Sequence, residues 1–408
     1  MRLFLWIIAI LLFDLYVFQA FKIIIQQWSA PLKITVQIFY WIIPLMTIAF
    51  LLGSNFSDTN TWNKNLYVFL RTFVFISYFS KFLIASVLLI DDFRRLLTWG
   101  YQAVSNDNRF DASRSKFLSQ TGLLLGSIPF ISLTYGLLRN PYRYKVFRET
   151  LALKNLPEAL SGLRIVQISD IHSGSFTFKE PVREAIKLIN DLKPDLVFFT
   201  GDLVNNKAEE MLDFIDVFDK IEARFGVFSI FGNHDYGDYV RWPSEQHKVD
   251  NLNQLRDIHR QLGWNLLTNE HRMVEVNGAK IAVIGVENYS THLRFPKYGD
   301  LKKAMEGLEA NDLKLLLSHD PSHWEGQVIN DHKDIAVTFS GHTHGMQFGI
   351  EVPGYIKWSP IQYVYKQWAG IYQSGDQYLY VNRGLGFLGY PGRVGILPEI
   401  TCLDLKKG

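Results

Sequence analysis

The chain has 408 residues, of which 48% are hydrophobic and 20% are charged, and its formal net charge is +2. The apolar content argues against intrinsic disorder, the single cysteine, Cys402, excludes a disulfide scaffold, and the near-zero charge offers no electrostatic basis for nucleic-acid binding. These averages conceal two regions. Residues 1–138 contain 11 Lys/Arg and 6 Asp but no Glu, whereas residues 139–408 contain 31 Lys/Arg and 34 Asp/Glu. The sequence therefore predicts an apolar first region followed by an ordinary globular one.

The first region contains four apolar stretches, each about 20 residues or longer, which is the length an α-helix needs to cross about 30 Å of hydrocarbon. A surface helix of a soluble protein would show a polar stripe at a period of 3.6 residues, and residues 7–13 and 42–52 show none. We therefore expect a transmembrane helical bundle rather than the buried helices of a soluble domain. Its spans are expected near Leu3–Ile25, Ile34–Gly53, Leu66–Ile90 and Phe117–Leu138.

Three charged residues lie inside these stretches, although a charge at the centre of a bilayer costs roughly 2.5–3.5 kcal/mol on insertion scales. Arg71 is near the end of its span, where a long side chain can reach the interface. Asp14 and Lys81 carry opposite charges, so we expect them to pair inside the bundle and to hold helices together. The alternative is a polar pathway or substrate contact that these two residues would line.

The basic residues that flank the spans bear on the orientation of the bundle. A loop expected over Asp91–Lys116 favours the cytoplasm through five Lys/Arg, at positions 94, 95, 109, 114 and 116, but four more follow the last span. Ser113–Ser119, S-R-S-K-F-L-S, resembles a twin-arginine export signal in which Ser115 replaces the second arginine. We therefore expect a multi-pass protein of the cell membrane (the inner membrane in a Gram-negative cell) whose second region lies outside the cytoplasm.

After Pro141 the pattern changes to short strands that alternate with amphipathic helices, which predicts an α/β domain. The strand segments are β-branched or aromatic and are bounded by turn residues, and the helical segments place apolar residues on one face. We expect strands at Arg164–Ser169, Asp195–Thr200, Gly226–Phe231, Lys280–Val286, Leu313–Ser318 and Ile335–Ser340. We expect helices at Glu180–Leu192, Met211–Ile221 and Leu252–Leu262.

Polar motifs follow five of these strands, and ligands bind at the carboxyl ends of strands in α/β sheets. Carboxylate and amide oxygens combined with imidazole nitrogens suit Mn, Fe, Zn or Co rather than a thiolate-selected metal. We expect the pairs Asp170/His172 and His342/His344 to lie in extended backbone, which would point both side chains of a pair the same way. The motifs are Asp170-Ile171-His172, Gly201-Asp202, Gly232-Asn233-His234-Asp235, His319 and Gly341-His342-Thr343-His344.

In this order, the motifs D-x-H, G-D, G-N-H-D, a single H and G-H-T-H resemble the signature of the calcineurin-like metallophosphoesterases. The resemblance is strongest to the bacterial membrane-anchored members, whose last motif is G-H-T-H-G-x-Q, here Gly341–Gln347. It covers about residues 160–405 and implies an α/β domain built as an α/β/β/α sandwich. We therefore expect a transmembrane helical region at 1–138, a linker at 139–160 and a metallophosphoesterase domain at 161–408.

Carried over position by position, the resemblance implies two divalent metal ions. The implied ligands are Asp170, His172 and His344 for one ion, Asn233, His319 and His342 for the other, and Asp202 for both. Such a pair of ions lowers the pKa of a shared water and so provides a hydroxide that attacks phosphorus. The resemblance further implies that His234 is the general acid or a transition-state donor, and that Asp235 orients its imidazole.

The leading hypothesis is a membrane-embedded, metal-dependent phosphoesterase that hydrolyses a phosphate ester or a pyrophosphate. Its expected partners are the lipid bilayer and a phosphate-ester substrate, with a lipid-linked or envelope substrate as the candidate. The alternative is a membrane transporter or sensor with an appended regulatory phosphoesterase domain. An inactive binding module is disfavoured because none of the metal positions has been replaced.

Three further features are expected near the site. The aromatic-rich stretches Asn288–Tyr298 and Tyr355–Trp368 are expected either to shape an apolar cleft or to touch the membrane, against a default of ordinary packing. Asp320, beside His319, is a candidate for supporting a metal ligand through a hydrogen bond. Arg383 precedes a glycine-rich loop and is a candidate for contacting substrate phosphate.

Overall fold

The computed structural model describes residues 2–105, 112–309, 312–352 and 354–408. The chain forms two compact units, Met1–Tyr135 and Gly136–Gly408. The first unit is helical, and the second unit contains both strands and helices.

Four helices dominate the N-terminal part, and each is long and apolar enough to cross a membrane, which confirms the four predicted spans. They are α1 Arg2–Ile25, α2 Ala30–Phe56, α3 Lys64–Ser105 and α4 Ala112–Arg139. The expected loop after Ile90 is wrong over its first part, because α3 continues through Asp91 to Ser105. Ion pairs one turn apart, Arg94 with Asp91 and Arg95 with Asp92, support this helical extension. Arg109 lies outside the described residues.

The two opposite charges predicted to pair inside the bundle do so. Lys81 Nζ contacts Asp14 Oδ1, and both side chains are buried. The Tyr40 hydroxyl donates to the backbone carbonyl of Asp14 at 2.6 Å, and the Tyr78 hydroxyl donates to Asp14 Oδ2 at 2.7 Å. The carboxylate is therefore neutralised and hydrogen-bonded within the bundle, as a buried charge requires.

The strands and helices of the second unit alternate along most of its length. The strands are β1 Lys145–Leu153, β2 Arg164–Ile168, β3 Leu196–Phe199, β4 Val227–Ser229, β5 Asn265–Leu266, β6 Glu270–Val276, β7 Ala279–Gly285, β8 Leu313–Leu317, β9 Ile335–Ser340, β10 Ile350–Val352, β11 Ile356–Trp358, β12 Gly370–Ser374, β13 Gln377–Val381 and β14 Glu399–Lys407. The helices are α5 Lys179–Asp191, α6 Ile215–Phe218, α7 Glu245–Gln261, α8 Leu301–Ala304 and α9 Ile329–Asp331.

Within the described residues these strands form two six-stranded sheets and one two-stranded hairpin. The first sheet has the order β1-β14-β2-β3-β4-β5 and the second has the order β12-β13-β9-β8-β7-β6. In the first sheet β2, β3, β4 and β5 are parallel, and in the second β7, β8, β9 and β13 are parallel. The hairpin is formed by β10 and β11.

The two large sheets pack face to face and bury the central core. Phe198 of the first sheet and Phe339 of the second pack edge to face, with ring centroids 4.9 Å apart. On the outer face of the first sheet, α5 buries its stripe of Val182, Ala185, Ile186 and Ile189. A separate cluster that includes Leu301 of α8 covers the second sheet. The predicted α/β/β/α sandwich is therefore confirmed, because helices cover the outside of both sheets.

The six predicted strands are present as β2, β3, β4, β7, β8 and β9, each within two residues of its predicted bounds. The segment expected to be a linker, residues 139–160, contains β1, which pairs in parallel with β14 along nine residues. The helix predicted at Met211–Ile221 is mostly a 3-10 helix, Ala208–Phe214, followed by the single turn of α6.

Candidate metal centre

Five polar motifs meet at the carboxyl ends of β2, β3, β4, β8 and β9. The first three strands are parallel neighbours in one sheet and the last two are parallel neighbours in the other. Because the sheets are stacked, their strand ends deliver all seven predicted ligands to one cluster. Six of the seven are buried, and His342 is partly buried.

Five of these seven residues adopt a left-handed backbone, which is uncommon outside glycine. They are Asp170, His172, Asp202, His342 and His344, with φ between 48° and 71°. The prediction that Asp170/His172 and His342/His344 lie in extended backbone is therefore wrong. Each residue sits in a tight turn just past its strand, and the turn rather than the strand alternation aims the side chain. Such strained conformations persist where surrounding structure enforces them and are typical of functional sites.

Glycines make these turns possible by letting other groups approach the backbone closely. A Cβ at Gly341 would collide with Ser169 Oγ and with the Asp170 carboxylate. A Cβ at Gly232 would collide with the Asp202 carboxylate. The glycines of the motifs therefore leave the space that two of the predicted ligands occupy.

The first group of donors consists of Asp170, His172 and His344, whose ligand atoms lie within 4.8 Å of one another. His172 Nε2 is 3.0 Å from His344 Nε2, and Asp170 Oδ1 is 3.2 Å from His344 Nε2. The Asp170 carboxylate also accepts the backbone N–H of His342 at 3.0 Å, which fixes its orientation. Two imidazole nitrogens and a carboxylate oxygen thus converge on one point.

The second group of donors surrounds His319 and His342. Asp202, His319 and His342 present ligand atoms within 4.8 Å of one another. Asn233 Oδ1 lies 2.8 Å from His342 Nδ1 and 3.2 Å from His319 Nε2. Asp202 Oδ2 lies 3.2 Å from His319 Nε2 and 3.5 Å from His172 Nε2. Asp202 therefore lies between the two groups, where a bridging ligand would be.

Hydrogen bonds to the opposite ring nitrogens orient the histidines of the second group. His319 Nδ1 is 2.7 Å from the carbonyl oxygen of Thr200, so this nitrogen carries a proton, and Nε2 faces the other donors of the group. His342 Nε2 is 2.9 Å from the Tyr365 hydroxyl, which donates to Asp320 Oδ2 at 3.1 Å. Asp320 thus supports His342 through Tyr365. The sequence pointed to Tyr365 only as one member of an aromatic-rich stretch.

The charge balance of the cluster favours cations. Burial lowers the pKa of His172 to about 3 and the pKa of His342 to about 4, so both imidazoles are in the neutral form that binds metals. Burial also opposes a charge on His319, but the neighbouring Asp202 carboxylate outweighs it and raises the pKa of His319 to about 10. Asp202 is buried as well, and the charges on His319 and His234 outweigh that burial and hold its pKa well below the usual range. Positive charge is therefore stabilised beside Asp202.

His234 faces the same cavity but is oriented differently from the prediction. Its Nδ1 lies 2.6 Å from the carbonyl oxygen of Asn205. The Asp235 carboxylate instead accepts backbone N–H groups, from Asp202 at 2.9 Å, Leu203 at 2.8 Å and Gly232 at 2.8 Å. The prediction that Asp235 orients the His234 imidazole is therefore wrong, because its oxygens are used to tie together the two loops that carry Asp202 and Asn233.

A cavity of about 460 Å³ opens above the cluster. Its walls combine one cation, Arg294, with apolar and aromatic groups, and Phe295 packs edge to face against His342 at 4.6 Å between centroids. The lining residues are His172, Asp202, Asn233, His234, Tyr239, Arg294, Phe295, His342, Thr343, His344, Ile361, Tyr365 and Leu388.

Arg383, which the sequence suggested as a phosphate contact, is engaged elsewhere. It is buried and pairs with Glu399 at 2.6 Å and with Glu351 at 2.5 Å. The glycine-rich loop after it does approach the cluster, since a Cβ at Gly384 would be 3.0 Å from the Asp170 Cβ. Arg294 is the cation at the cavity, and no sequence motif identified it.

Two family models match the chain. Residues 1–141 match the model described as "Probable Calcineurin-like phosphoesterase, transmembrane domain". Residues 163–346 match the model described as "Calcineurin-like phosphoesterase". The two matches cover the helical N-terminal part and all five strands that carry the donor cluster.

Curated relatives match much of the chain. "Uncharacterized metallophosphoesterase YkuE" of Bacillus subtilis (strain 168) is 30% identical over 305 residues, which cover 72% of this chain and 98% of that protein. "Transmembrane protein with metallophosphoesterase domain" of Danio rerio is 29% identical over 306 residues, which cover 73% of this chain and 65% of that protein. Among solved structures, a Thermus thermophilus sulfate thiohydrolase, SoxB, shares 13% identity over 62% of this chain and 57% of its own, with a TM-score of 0.37, too low to support an argument.

Proposed function

This chain belongs to the calcineurin-like phosphoesterase family, and from that premise we propose that it binds two divalent metal ions and hydrolyses a phosphate ester or pyrophosphate at the membrane. The observation that carries the proposal is the convergence of seven buried or partly buried donors from five strand ends. Four helices able to span a membrane make it a membrane-associated metallophosphoesterase. The proposed division is a membrane anchor at 1–138, a connecting segment at 139–160 and a catalytic domain at 161–408.

The donor set fits divalent ions. Asp170, His172 and His344 would hold one ion, and Asn233, His319 and His342 the other, with Asp202 shared between them. The imidazole nitrogens and the carboxylate and amide oxygens suit Mn, Fe, Zn or Co. When bound, the ions supply positive charge that lowers the pKa of a nucleophilic water and neutralises phosphoryl oxygens.

The chain's own side chains provide the remaining functions. The backbone carbonyl oxygen of Asn205 forms a hydrogen bond with Nδ1 of His234. Nε2 can then exchange a proton with the leaving oxygen, so His234 is the proposed general acid. Arg294 supplies a fixed positive charge at the cavity wall, where it would pair with a phosphate oxygen of the substrate. Asp235 keeps the loops of Asp202 and Asn233 in register through its backbone hydrogen bonds.

The proposed substrate is a phosphate ester or pyrophosphate linked to a lipid or another envelope component. The apolar cavity walls at Phe295, Ile361 and Leu388 would accept an apolar or ring-bearing substituent. The transporter or sensor alternative depends on Asp14 and Lys81. That pair is enclosed by hydrogen bonds from Tyr40 and Tyr78, an arrangement that favours a role in holding helices together.

Hydrolysis of bis(p-nitrophenyl) phosphate by the purified full chain in nanodiscs tests this function. We expect no activity after chelation and recovery on addition of Mn²⁺ or Zn²⁺. His234→Ala should abolish most of the activity, whereas His247→Ala, at an exposed histidine, should retain it. Full activity in the chelated enzyme, or in His234→Ala, would show that the proposed chemistry is wrong.

The side of the membrane is a separate proposal. We place the catalytic unit outside the cytoplasm because Ser113–Ser119 resembles an export signal and is followed by a span. A C-terminal alkaline phosphatase fusion should be active in cells, and a C-terminal green fluorescent protein fusion should be dark. The reverse pattern would place the catalytic unit inside.

A further inference from the structure

The hairpin of β10 and β11 has two chemically different faces. Ile350 is paired with Trp358 and Val352 with Ile356, whereas the pair between them is Glu351 with Lys357. Directly opposed residues of an antiparallel pair share a face, and neighbouring pairs alternate between faces. One face of this hairpin is therefore apolar and the other is charged.

The charged face is the one attached to the rest of the catalytic unit. Glu351 pairs with the buried Arg383 at 2.5 Å. Lys357 Nζ donates to the carbonyl oxygen of Ala369 and lies 5.3 Å from the Trp368 ring centroid. In a soluble protein the apolar face of a short hairpin normally packs inward, so this arrangement is inverted.

The apolar face is correspondingly left in the open. Ile350, Val352 and Ile356 are each about half exposed, and Tyr355, in the turn, is 89% exposed. Tyr363, after the hairpin, is 78% exposed. A clustered set of exposed apolar and aromatic groups marks an interaction surface rather than the scattered apolar residues of an ordinary surface.

The same surface adjoins the metal cavity. Ile361 lies between the hairpin and Tyr365 in sequence, and it lines the cavity wall. On another wall the segment 288–299 contributes Arg294 and Phe295, and Leu293 beside them is fully exposed. We call residues 288–299, 346–352 and 354–368 the rim segments.

The charge of the rim segments identifies the kind of surface that they fit. Apart from the attached pair Glu351 and Lys357, they contain three Lys/Arg (Arg294, Lys297 and Lys366) and no acidic residue. Residues 139–408 as a whole have the opposite balance, 31 Lys/Arg against 34 Asp/Glu. Exposed apolar groups, interfacial tyrosines and an excess of basic residues are the combination that binds anionic bilayer surfaces.

We propose that the rim segments form a bilayer-binding surface, with the apolar face of the β10–β11 hairpin inserted at the level of the lipid headgroups. A membrane is always at hand because the chain carries four helices able to span one. The contact would hold the metal cavity open toward headgroups, and this last step rests on the proposed phosphoesterase function. The substrate would then be a lipid with a phosphorylated headgroup, which is hydrolysed while the lipid stays in the bilayer.

Depth-dependent fluorescence quenching tests the contact in the full chain. Cys402 is buried, so it should remain unlabelled while a cysteine introduced by Tyr355→Cys or Tyr363→Cys takes an environment-sensitive dye. In nanodiscs of phosphatidylcholine and phosphatidylglycerol we expect a blue shift and quenching by nitroxide-labelled acyl chains at both positions. A dye at Leu188→Cys, at an exposed position of α5 on the outer face of the first sheet, should show neither. Removing phosphatidylglycerol should weaken the quenching, because the basic residues lose their partner.

The absence of quenching at both rim positions would overturn the proposal. A blue shift without nitroxide quenching would also overturn it, because the surface would then be covered by a second copy or by another protein. Neither result bears on the proposed enzyme activity, since the assay reads no turnover.

A variant separates the contact from the chemistry. Val352→Ser with Ile356→Ser should abolish the quenching and lower turnover of a phosphatidylglycerol pyrophosphate analogue embedded in the bilayer severalfold. The same variant should hydrolyse soluble bis(p-nitrophenyl) phosphate at the wild-type rate, which also shows that it is folded. An equal loss of turnover with both substrates would contradict a role of the hairpin in presenting bilayer lipids to the metal cavity. Failure of the wild-type enzyme on the soluble substrate would contradict the proposed function alone.

Discussion

The two units of this protein bury aspartates in opposite ways. In the helical unit the charge of Asp14 is matched by one cation, Lys81, and its oxygens accept hydrogen bonds from hydroxyl groups. In the catalytic unit Asp170 and Asp202 face imidazole nitrogens that also face one another, at 3.0–3.5 Å. In that second cluster several potential metal-ligand atoms face one another, an arrangement that a cation between them would stabilise.

The comparison shows that a buried carboxylate is informative through its partners rather than through its burial. A carboxylate whose charge is paired inside the fold stabilises that fold, whereas one surrounded by several imidazole nitrogens prepares a binding site.

Asp202→Asn should have the largest effect, because it removes the one carboxylate that lies between the two donor groups. We expect bis(p-nitrophenyl) phosphate hydrolysis to fall by roughly 10⁴-fold or more, and bound metal, measured by mass spectrometry of the protein solution, to fall with it. Asp216→Asn, at an exposed carboxylate, is the matched control and should change neither quantity.

His234→Gln should reduce kcat by about 10²–10⁴-fold, because the side chain can no longer exchange a proton with the leaving oxygen. The metal content should stay at the wild-type level, since His234 is not among the proposed ligands. A substrate with a leaving group of low pKa should be affected least. Parallel loss of metal and activity would instead make His234 a ligand.

Lys81→Met should lower the free energy of unfolding of the helical unit by about 3–5 kcal/mol, because the Asp14 charge is left buried without its partner. Unfolding in a dodecyl sulfate titration of mixed micelles measures this loss. The double variant Asp14→Asn with Lys81→Met should recover most of the stability. If the losses of unfolding free energy in the two single variants simply add in the double variant, Asp14 and Lys81 do not stabilise each other.

Tyr365→Phe should lower metal affinity by about 10–100-fold, because His342 loses the hydrogen bond that links it to Asp320. Activity at saturating metal should be largely retained. Tyr363→Phe, two residues away and exposed, provides the control. Equal metal affinity in the two variants would show that the Tyr365 hydrogen bonds do not tune the site.

His259 is a third kind of buried group, with neither a counter-ion nor a place among the donors. Burial lowers its pKa to about 3, so the unfolded chain takes up the proton more readily than the folded chain. The stability contributed by neutral His259 is therefore complete above pH about 6.5 and declines as the pH falls, by up to about 1.4 kcal/mol per pH unit. Melting temperatures between pH 7 and pH 4.5 should fall less steeply in His259→Leu. Identical slopes of melting temperature against pH in the two proteins would show that another group dominates the loss of stability in acid.

Much of the architecture was predictable because it depends on local patterns. Span lengths follow from the bilayer thickness, and β2 and β9 follow from short apolar runs that end in polar motifs. The seven donors were found through spacing within a family motif, and the structure brings them together. Their binding of two ions remains a prediction.

The remaining features depend on contacts that spacing does not encode. Strand β1 buries only two of its nine residues, Leu151 and Leu153, and its partner β14 is far away in sequence, so β1 does not appear as part of a sheet from its own residues. The left-handed turns at five ligands lie in loops from both sheets, where backbone and side chains distant in sequence approach closely. Tyr365 and Arg294 reach the site from segments without a motif, and the backbone partners of Asp235 exist only after folding.

The pairing of β1 with β14 has a consequence for how the protein is made. Arg148 and Cys402 are paired although 254 positions separate them. At roughly 5–20 residues per second, a ribosome needs roughly 13–50 s to synthesise that interval. During this time β1 and β2 lack the strand that joins them, and their edges are open to wrong pairing. Translation speed and chaperone binding during that interval should therefore affect the yield of folded protein more than they affect its stability once folded.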